Sequence, residues 1–331
     1  MPPAQTLTRR TSLRALVAAA AAASGAFSAH AASAWPSKAV RIIVPFAPGG
    51  GADGSARVLA EVLSGPLGQS VIVENRPGAG SAIGVMAAAQ SKDGHTLLMG
   101  SNSMVVNPSL NPAIKYNVER DFDAVGMVSA QPLVLVVPAS SSLKSIQDIV
   151  TQAKAEPGAL SAGNSGNGTL AHIASESFAA QTGTQLTPVA YKGESALLPD
   201  LISGLVSLGF LNLPSVLPHI KSGRVRALAV SSPKAVEDLP GVPTLTSLGY
   251  PGMEFEGWAA LVAPKGTIPD EGLARLQALL SAALESAPVQ EKFKAFGVAP
   301  RIQTRQDTDR FLKAEADRYA AIIQSRGIKV E

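Results

Sequence analysis

From Val40 onward, short β-branched runs alternate with Ala- and Leu-rich stretches long enough for helices. That alternation confines the chain to an α/β architecture on largely parallel sheets, because a strand followed by a helix crosses back to pair beside a parallel neighbour. Runs such as 40–44, 96–100 and 133–137 read as strands, and stretches such as 54–64, 170–182 and 308–326 read as helices. Several strands end in Pro or Gly, which stop the strand and open the turn into the next helix. Two apolar segments that both end in Pro lie far apart in sequence: PLVLVVP at Pro132–Pro138 and GWAALVAP at Gly257–Pro264. A chain that enters a second domain and returns needs two such strands side by side. The expected division is therefore a first domain of 36–136 plus 257–331 and a second of 137–256, which suits a length of 331 residues.

The first 34 residues read as an address. A positive stretch around Arg9 and Arg10 precedes an apolar run from Ala15 to Ala23 and then small residues up to Trp35. This is the layout of a secretory signal peptide, and its apolar run is far short of the roughly 20 residues needed to span a bilayer. Cleavage is expected after Ala34, with Ala29-His30-Ala31 a further small-x-small site. The stretch Thr8-Arg9-Arg10-Thr11-Ser12-Leu13-Arg14 resembles a twin-arginine export signal, with Ser12 where that pattern prefers Phe. Twin-arginine export and general secretion both remain open, and the expected destination is the periplasm.

The charge balance follows from the same segment. The formal net charge is +3, yet residues 1–34 hold Arg9, Arg10 and Arg14 and no acid; the 28 Lys and Arg less these three leave 25, against 25 Asp and Glu. A neutral body offers no basic surface for nucleic acid. The absence of cysteine excludes disulfides, thiolate metal sites and thiol catalysis.

The segment RIIVPFAPGGGADGSARVLAEVL carries Gly49-x-Gly51-x-x-Gly54 between a strand and a helix, with Glu74 at the end of the next strand. A mechanical search would take this for a dinucleotide-binding fingerprint and make the chain an exported NAD(P)-dependent oxidoreductase. In that motif the first Gly follows the strand directly. Here Pro45-Phe46-Ala47-Pro48 intervenes, so the glycines stand farther out, in a loop. What remains is an anion site, since glycines admit a close backbone approach and a helix start offers N–H groups at the positive end of its dipole. A second loop, Ala162-Gly163-Asn164-Ser165-Gly166-Asn167-Gly168-Thr169, precedes the helix LAHIASESF, with Thr169 as its expected N-cap. Tyr191-Lys192-Gly193 follows a third strand and offers a phenol and a cation.

In order along the chain stand VRIIVPFAPGGGADGSAR, VIVENRPGAG, DGHTLLMG, GNSGNGTLAHIA, YKG, VRALAVSS, LPGVPTL and GWAALVAPKGT. Together they closely resemble the Bug-type periplasmic solute-binding proteins, the extracytoplasmic receptors of tripartite tricarboxylate transporters, over essentially all of residues 35–331. The resemblance implies the two-domain periplasmic-binding-protein fold (type II-like) with two crossing strands as hinge. It also implies a small carboxylate or amino acid held between the domains. No cofactor is expected, and the expected partner is a membrane permease or, as an alternative, a sensor. By motif, the ligand-binding residues would be Phe46, Ala47, Gly49, Gly50, Gly51 and Asp53 from the first domain. From the second they would be Asn164, Ser165, Gly166, Gly168, Thr169, His172, Tyr191 and Lys192. Ala190 and Ser207 depart from the family pattern, which has Pro and Asp there.

The enzyme reading is short of chemistry. Beyond the leader only His95, His172 and His219 occur, without metal-ligand spacing. No paired carboxylates or Ser-His-Asp arrangement can be read, and no catalytic or metal-binding residue is expected. Asp53 has two possible jobs: to meet a ligand ammonium or hold a water, or to cap a helix beginning near Gly54.

Overall fold

The computed structural model describes residues 35–295 and 298–328. The first elements are β1 (Val40–Val44), α1 (Gly51–Leu67), β2 (Val71–Asn75), α2 (Ala82–Ala89), β3 (Thr96–Ser101), α3 (Asn102–Leu110), α4 (Val118–Asp121) and β4 (Phe122–Pro138). The middle of the chain forms α5 (Ile146–Ala155), β5 (Ser161–Asn164), α6 (Leu170–Thr182), β6 (Thr187–Ala190), α7 (Glu194–Ser203), β7 (Leu208–Asn212), α8 (Leu213–Lys221) and β8 (Val225–Val230). The last elements are β9 (Glu256–Pro264), α9 (Asp270–Glu285), α10 (Ala287–Ala295), β10 (Ala299–Pro300) and α11 (Arg305–Arg326). The expected leader, residues 1–34, lies outside the described residues.

The strands join in the order β2-β1-β3-β9-β4-β7-β5-β6, and β8 and β10 also pair with β4. β1 runs parallel to β2 and β3, and β5 runs parallel to β6 and β7, as the strand–helix alternation requires. β9 is antiparallel to β3, and β4 has only antiparallel partners. Its first part, Phe122 to Pro132, is antiparallel to β9, and from Leu133 onward it is antiparallel to β7 and β8. One strand therefore belongs to both halves of the sheet, and its partners change between Pro132 and Leu133.

The two apolar segments expected to cross side by side meet only end to end: Gly257–Pro264 pairs with Phe122–Gln131, whereas Leu133–Pro138 pairs with β7 and β8, and the two runs join where Gln131 faces Gly257 and Pro132 faces Glu256. The returning chain is pinned at the same place. The Ser231 hydroxyl donates to the carbonyls of Leu133 and Phe255, and the Leu133 N–H donates to Ser231 Oγ at 3.0 Å.

Sequence reading placed a strand only at 133–137, whereas β4 begins at Phe122. Phe122–Gln131 holds Asp, Gly, Ala and Ser, which dilute its β propensity. Antiparallel pairing with β9 overrides the local preference.

The apolar residues segregate as the alternation demands. One buried cluster packs α1, α9 and α10 onto β1, including Ile42, Leu59, Leu276 and Phe293. A second packs α7 and α8 onto the later half of β4, including Val134, Leu197 and Leu217. The largest runs continuously from Ile43 and Leu98 through Leu133 to Phe178 and Phe210, and α11 covers it with Leu312 and Tyr319. Among the described residues, no helix is long and apolar enough to cross a membrane.

Candidate functional site

Five helices begin at one cavity. Its wall includes Gly50, Gly51 and Ala52 at the start of α1, Ser101, Asn102 and Ser103 at the start of α3, and Thr169, Leu170 and Ala171 at the start of α6. Glu194, the first residue of α7, and Asn212, the N-cap of α8, complete the ring. Gln131, Gly257 and Trp258 form the floor where β4 and β9 meet. The cavity measures about 70 Å³. That is well below the roughly 300–1,000 Å³ of pockets for drug-sized molecules, so the shape suits a small ligand.

The helix starts are electrically open. Among the five, only α6 has a side-chain cap: Thr169 Oγ1 accepts from the His172 N–H and donates to the Gly166 carbonyl at 2.7 Å. The N-caps of α1, α3, α7 and α8, namely Gly50, Ser101, Gly193 and Asn212, make no such bond. First-turn N–H groups have no partner within their own helix, and each helix start carries roughly half a positive charge. Among the described residues, no Lys or Arg lines the cavity. A carboxylate entering this ring meets backbone N–H, hydroxyl and amide groups, which is how helix starts bind anions elsewhere.

The site is held by polar ties to the strands. Asn102 Oδ1 accepts from the Trp258 N–H at 3.1 Å, and its amide donates to the Glu256 carbonyl and to Tyr319 Oη. This fixes the start of α3 on β9. Glu194 Oε1 accepts from both the backbone N–H and the side-chain amide of Asn212, joining the starts of α7 and α8.

Asp53 is buried in the first turn of α1, whose helix starts at Gly51 and not near Gly54, so it is not the N-cap. Its Oδ2 accepts from the Gly49 N–H and from Arg57 Nε, both at 3.0 Å, and Oδ1 accepts from Asn75 Nδ2 at 2.9 Å. Burial alone would raise this carboxyl; the donors from Arg57, Gly49 and Asn75 together outweigh burial and hold it below the ordinary carboxylate range. Although Asp53 lines the cavity, its oxygens serve the loop that carries Phe46 and Gly49.

Of the other residues expected at the site, Phe46, Ala47, Gly50, Gly51, Ser165 and Thr169 line the cavity. Gly49, Asn164, Gly166, Gly168, His172, Tyr191 and Lys192 are not in its wall. Most of these shape the loops that are. Gly49 takes φ +91°, Asn164 Oδ1 accepts from the Gly166 N–H, and the Tyr191 N–H donates to the Asn164 carbonyl. Tyr191 Oη donates to Asp200 Oδ2 at 2.7 Å, and burial, followed by Asp200, pushes the phenol up to about 12. His172 is buried, accepts from the Gly168 N–H at 3.3 Å through Nδ1, and has its pKa lowered by burial. Lys192 is exposed, and only its carbonyl reaches across, accepting from the Ala47 N–H at 3.4 Å.

Sequence reasoning missed Ser101, Asn102, Ser103, Gln131, Glu194, Asn212 and Trp258. Three of them had a signal. Ser101 and Asn102 follow a strand read at 96–100, and Asn212 follows one read at 206–211. Both points are strand-to-helix switches of the kind already singled out at Gly49–Gly54. The helices were hidden by Pro108 in α3 and Pro218 in α8.

Residues 55–328 match the model of the tripartite tricarboxylate transporter family receptor. The chain belongs to that family. It is 40% identical to Protein BugT of Bordetella pertussis, over 97% of this chain and 99% of that one. Among solved structures, periplasmic binding protein BugD superposes with a TM-score of 0.85 at 30% identity, covering 90% of this chain and all of that one. R. palustris Rpa4515, solved with adipate, superposes with a TM-score of 0.85 at 33% identity, covering 89% of this chain and 99% of that one. The fold is thus the mixed α/β fold of the periplasmic binding proteins, and this is a family of solute-binding receptors. The oxidoreductase reading of Gly49, Gly51 and Gly54 finds no support. Gly51 and Gly54 already belong to α1, and the loop before them turns outward through Pro48 and Gly49, both exposed.

Proposed function

We propose that the protein is an exported receptor that captures a small carboxylate or amino acid in this cavity and hands it to a membrane permease. The observation that carries the reading is the meeting of five helix starts, four of them without a side-chain cap, on a cavity with no lysine or arginine in its wall. A site of that kind suits one compact anion. The adipate held by the related R. palustris protein is an acid of this class.

The lobes 36–136 plus 257–331 and 137–256 would close on the ligand by bending where β4 changes partners, since the cavity takes its wall from both sides of that point. The site residues proposed are those in the wall, with Gly49, Asn164, Gly166, Gly168, His172, Tyr191 and Lys192 acting by shaping the loops.

A thermal-shift screen against mono-, di- and tricarboxylates, amino acids and aromatic acids tests the reading. A ligand at a hundred times its Kd should stabilise by roughly 2.7 kcal/mol. No shift with any acid would overturn it. For the hinge, small-angle scattering should show compaction with the bound acid; an unchanged profile under saturation would rule out closure.

A further inference from the structure

Two acids line the cavity, and their surroundings differ. Asp53 is saturated by Gly49, Arg57 and Asn75, with an arginine at 3.0 Å to balance its charge. Glu194 is equally buried, at 7% exposure, and has no cation bonded to it. Both of its bonds from Asn212 fall on Oε1, so Oε2 is not engaged by that residue.

Glu194 also sits where it answers two of the five helix starts. It is the first residue of α7, and it takes the backbone N–H of Asn212, the N-cap of α8. Of the other three, Thr169 caps α6 and Asp53 stands in the first turn of α1, so α3, with neither a side-chain cap nor an acid in its first turn, is the start best able to take a ligand carboxylate in the cavity that Glu194 also lines. A ligand with two ionised carboxylates would bring its second charge against Asp53 and Glu194 with no lysine or arginine in the wall. An ammonium there would meet a buried carboxyl group whose partners, from Asn212 and Ser215, are all neutral.

We infer that Glu194 is the specificity-determining residue of the cavity and selects a ligand that bears a protonated amino group besides its carboxylate, an amino acid over a dicarboxylate. The inference rests on the carboxylate-receptor reading above. Burial pushes the Glu194 carboxyl up against the Asn212 and Ser215 donors, and an incoming ammonium would draw it back to the ionised form. The role that sequence reading offered to Asp53, meeting a ligand ammonium, thus passes to Glu194.

The test is calorimetric titration of the full processed chain at neutral pH with matched probes. Succinate is compared with L-aspartate and γ-aminobutyrate, and glutarate with L-glutamate and δ-aminovalerate. The best amino-bearing probe should bind at least tenfold tighter than its amino-free counterpart, and Glu194→Gln should reduce that ratio at least tenfold. Gln keeps the size and an acceptor for Asn212, and a purely structural role would weaken both members of a pair alike. Equal or tighter binding of the dicarboxylates by the wild type overturns the inference while leaving the receptor reading intact, and needs no variant to fold. An unchanged ratio in Glu194→Gln overturns it also. If no probe of either kind binds, and the wider acid screen is negative too, the receptor reading fails and this inference with it.

Discussion

Asn107 places its side-chain oxygen where a β-carbon on Gly168 would stand. Asn107 lies in α3 and Gly168 in the loop before α6, so the contact joins two sides of the cavity. The same amide donates to the Gly80 carbonyl at 2.7 Å, and the Asn167 carbonyl fills the space beside the Gly80 α-carbon. Two glycine-rich turns are thus packed backbone to backbone with the Asn107 side chain against both, and Gly168 also needs φ +80°. Gly168→Ala should therefore cost about 1–3 kcal/mol from backbone strain, with collision added. Asn107→Ala should cost about 0.5–1.5 kcal/mol for the lost hydrogen bond. The double variant should lose less than both together, because removing the amide relieves the collision. Additive losses in calorimetric melting would refute the contact.

Asp53 is surrounded by donors only. Asparagine, which caps helix starts about as well as aspartate, would here turn an NH2 group toward Gly49, Arg57 or Asn75. Asp53→Asn should thus lower stability by about 1–3 kcal/mol, the cost of an unsatisfied buried group, and Asp53→Ala by at least as much. This differs from a capping role, under which Asn would be harmless. The carboxyl is depressed in the folded state, so its stabilising effect is present above the unfolded value near 3.8 and is lost as pH falls through the folded value. The wild type should lose more stability than Asp53→Asn on acidification below about pH 4; parallel curves would remove Asp53 from the acid response.

Glu194 has the opposite sign. Its folded value is raised above 4.5, so the native state binds more protons than the unfolded chain just above that pH. Stability of the wild type relative to Glu194→Gln, both without added ligand, should decline as pH rises through the window that starts near 4.5, the comparison cancelling the other titrating groups. Urea unfolding at several pH values measures this. A difference between the two curves that stays constant or rises across the window would show that Glu194 is not desolvated in solution.

Export is tested at the N-terminus. Protein recovered from the periplasm should begin near Ala32 or Trp35 by N-terminal sequencing. An intact Met1 chain as the only form, in the cytoplasm, would sink the expectation. Arg9→Lys combined with Arg10→Lys should abolish export by the twin-arginine route and spare general secretion, so the pair decides between them.

Much of this protein follows from local chemistry. The β-branched runs, the Ala- and Leu-rich helices and the Pro and Gly punctuation dictate α/β units, because period and propensity act over a few residues. The loop-to-helix switch at Gly49–Gly54 and the Thr169 cap were legible for the same reason: each involves a turn and the helix directly after it. Tertiary structure decided what depends on distant partners. β4 extends back to Phe122 because β9, more than a hundred residues later in the chain, pairs with it. Asp53 supports the loop before α1 because Asn75 arrives from β2. Glu194, unremarkable beside the exposed Lys192, became the buried acid of the cavity because Asn212 at the end of β7 folds against it. Helix starts and turns are written in neighbouring residues. Which of them converge on one cavity is settled by strand order, where burial and pairing outweigh any local preference.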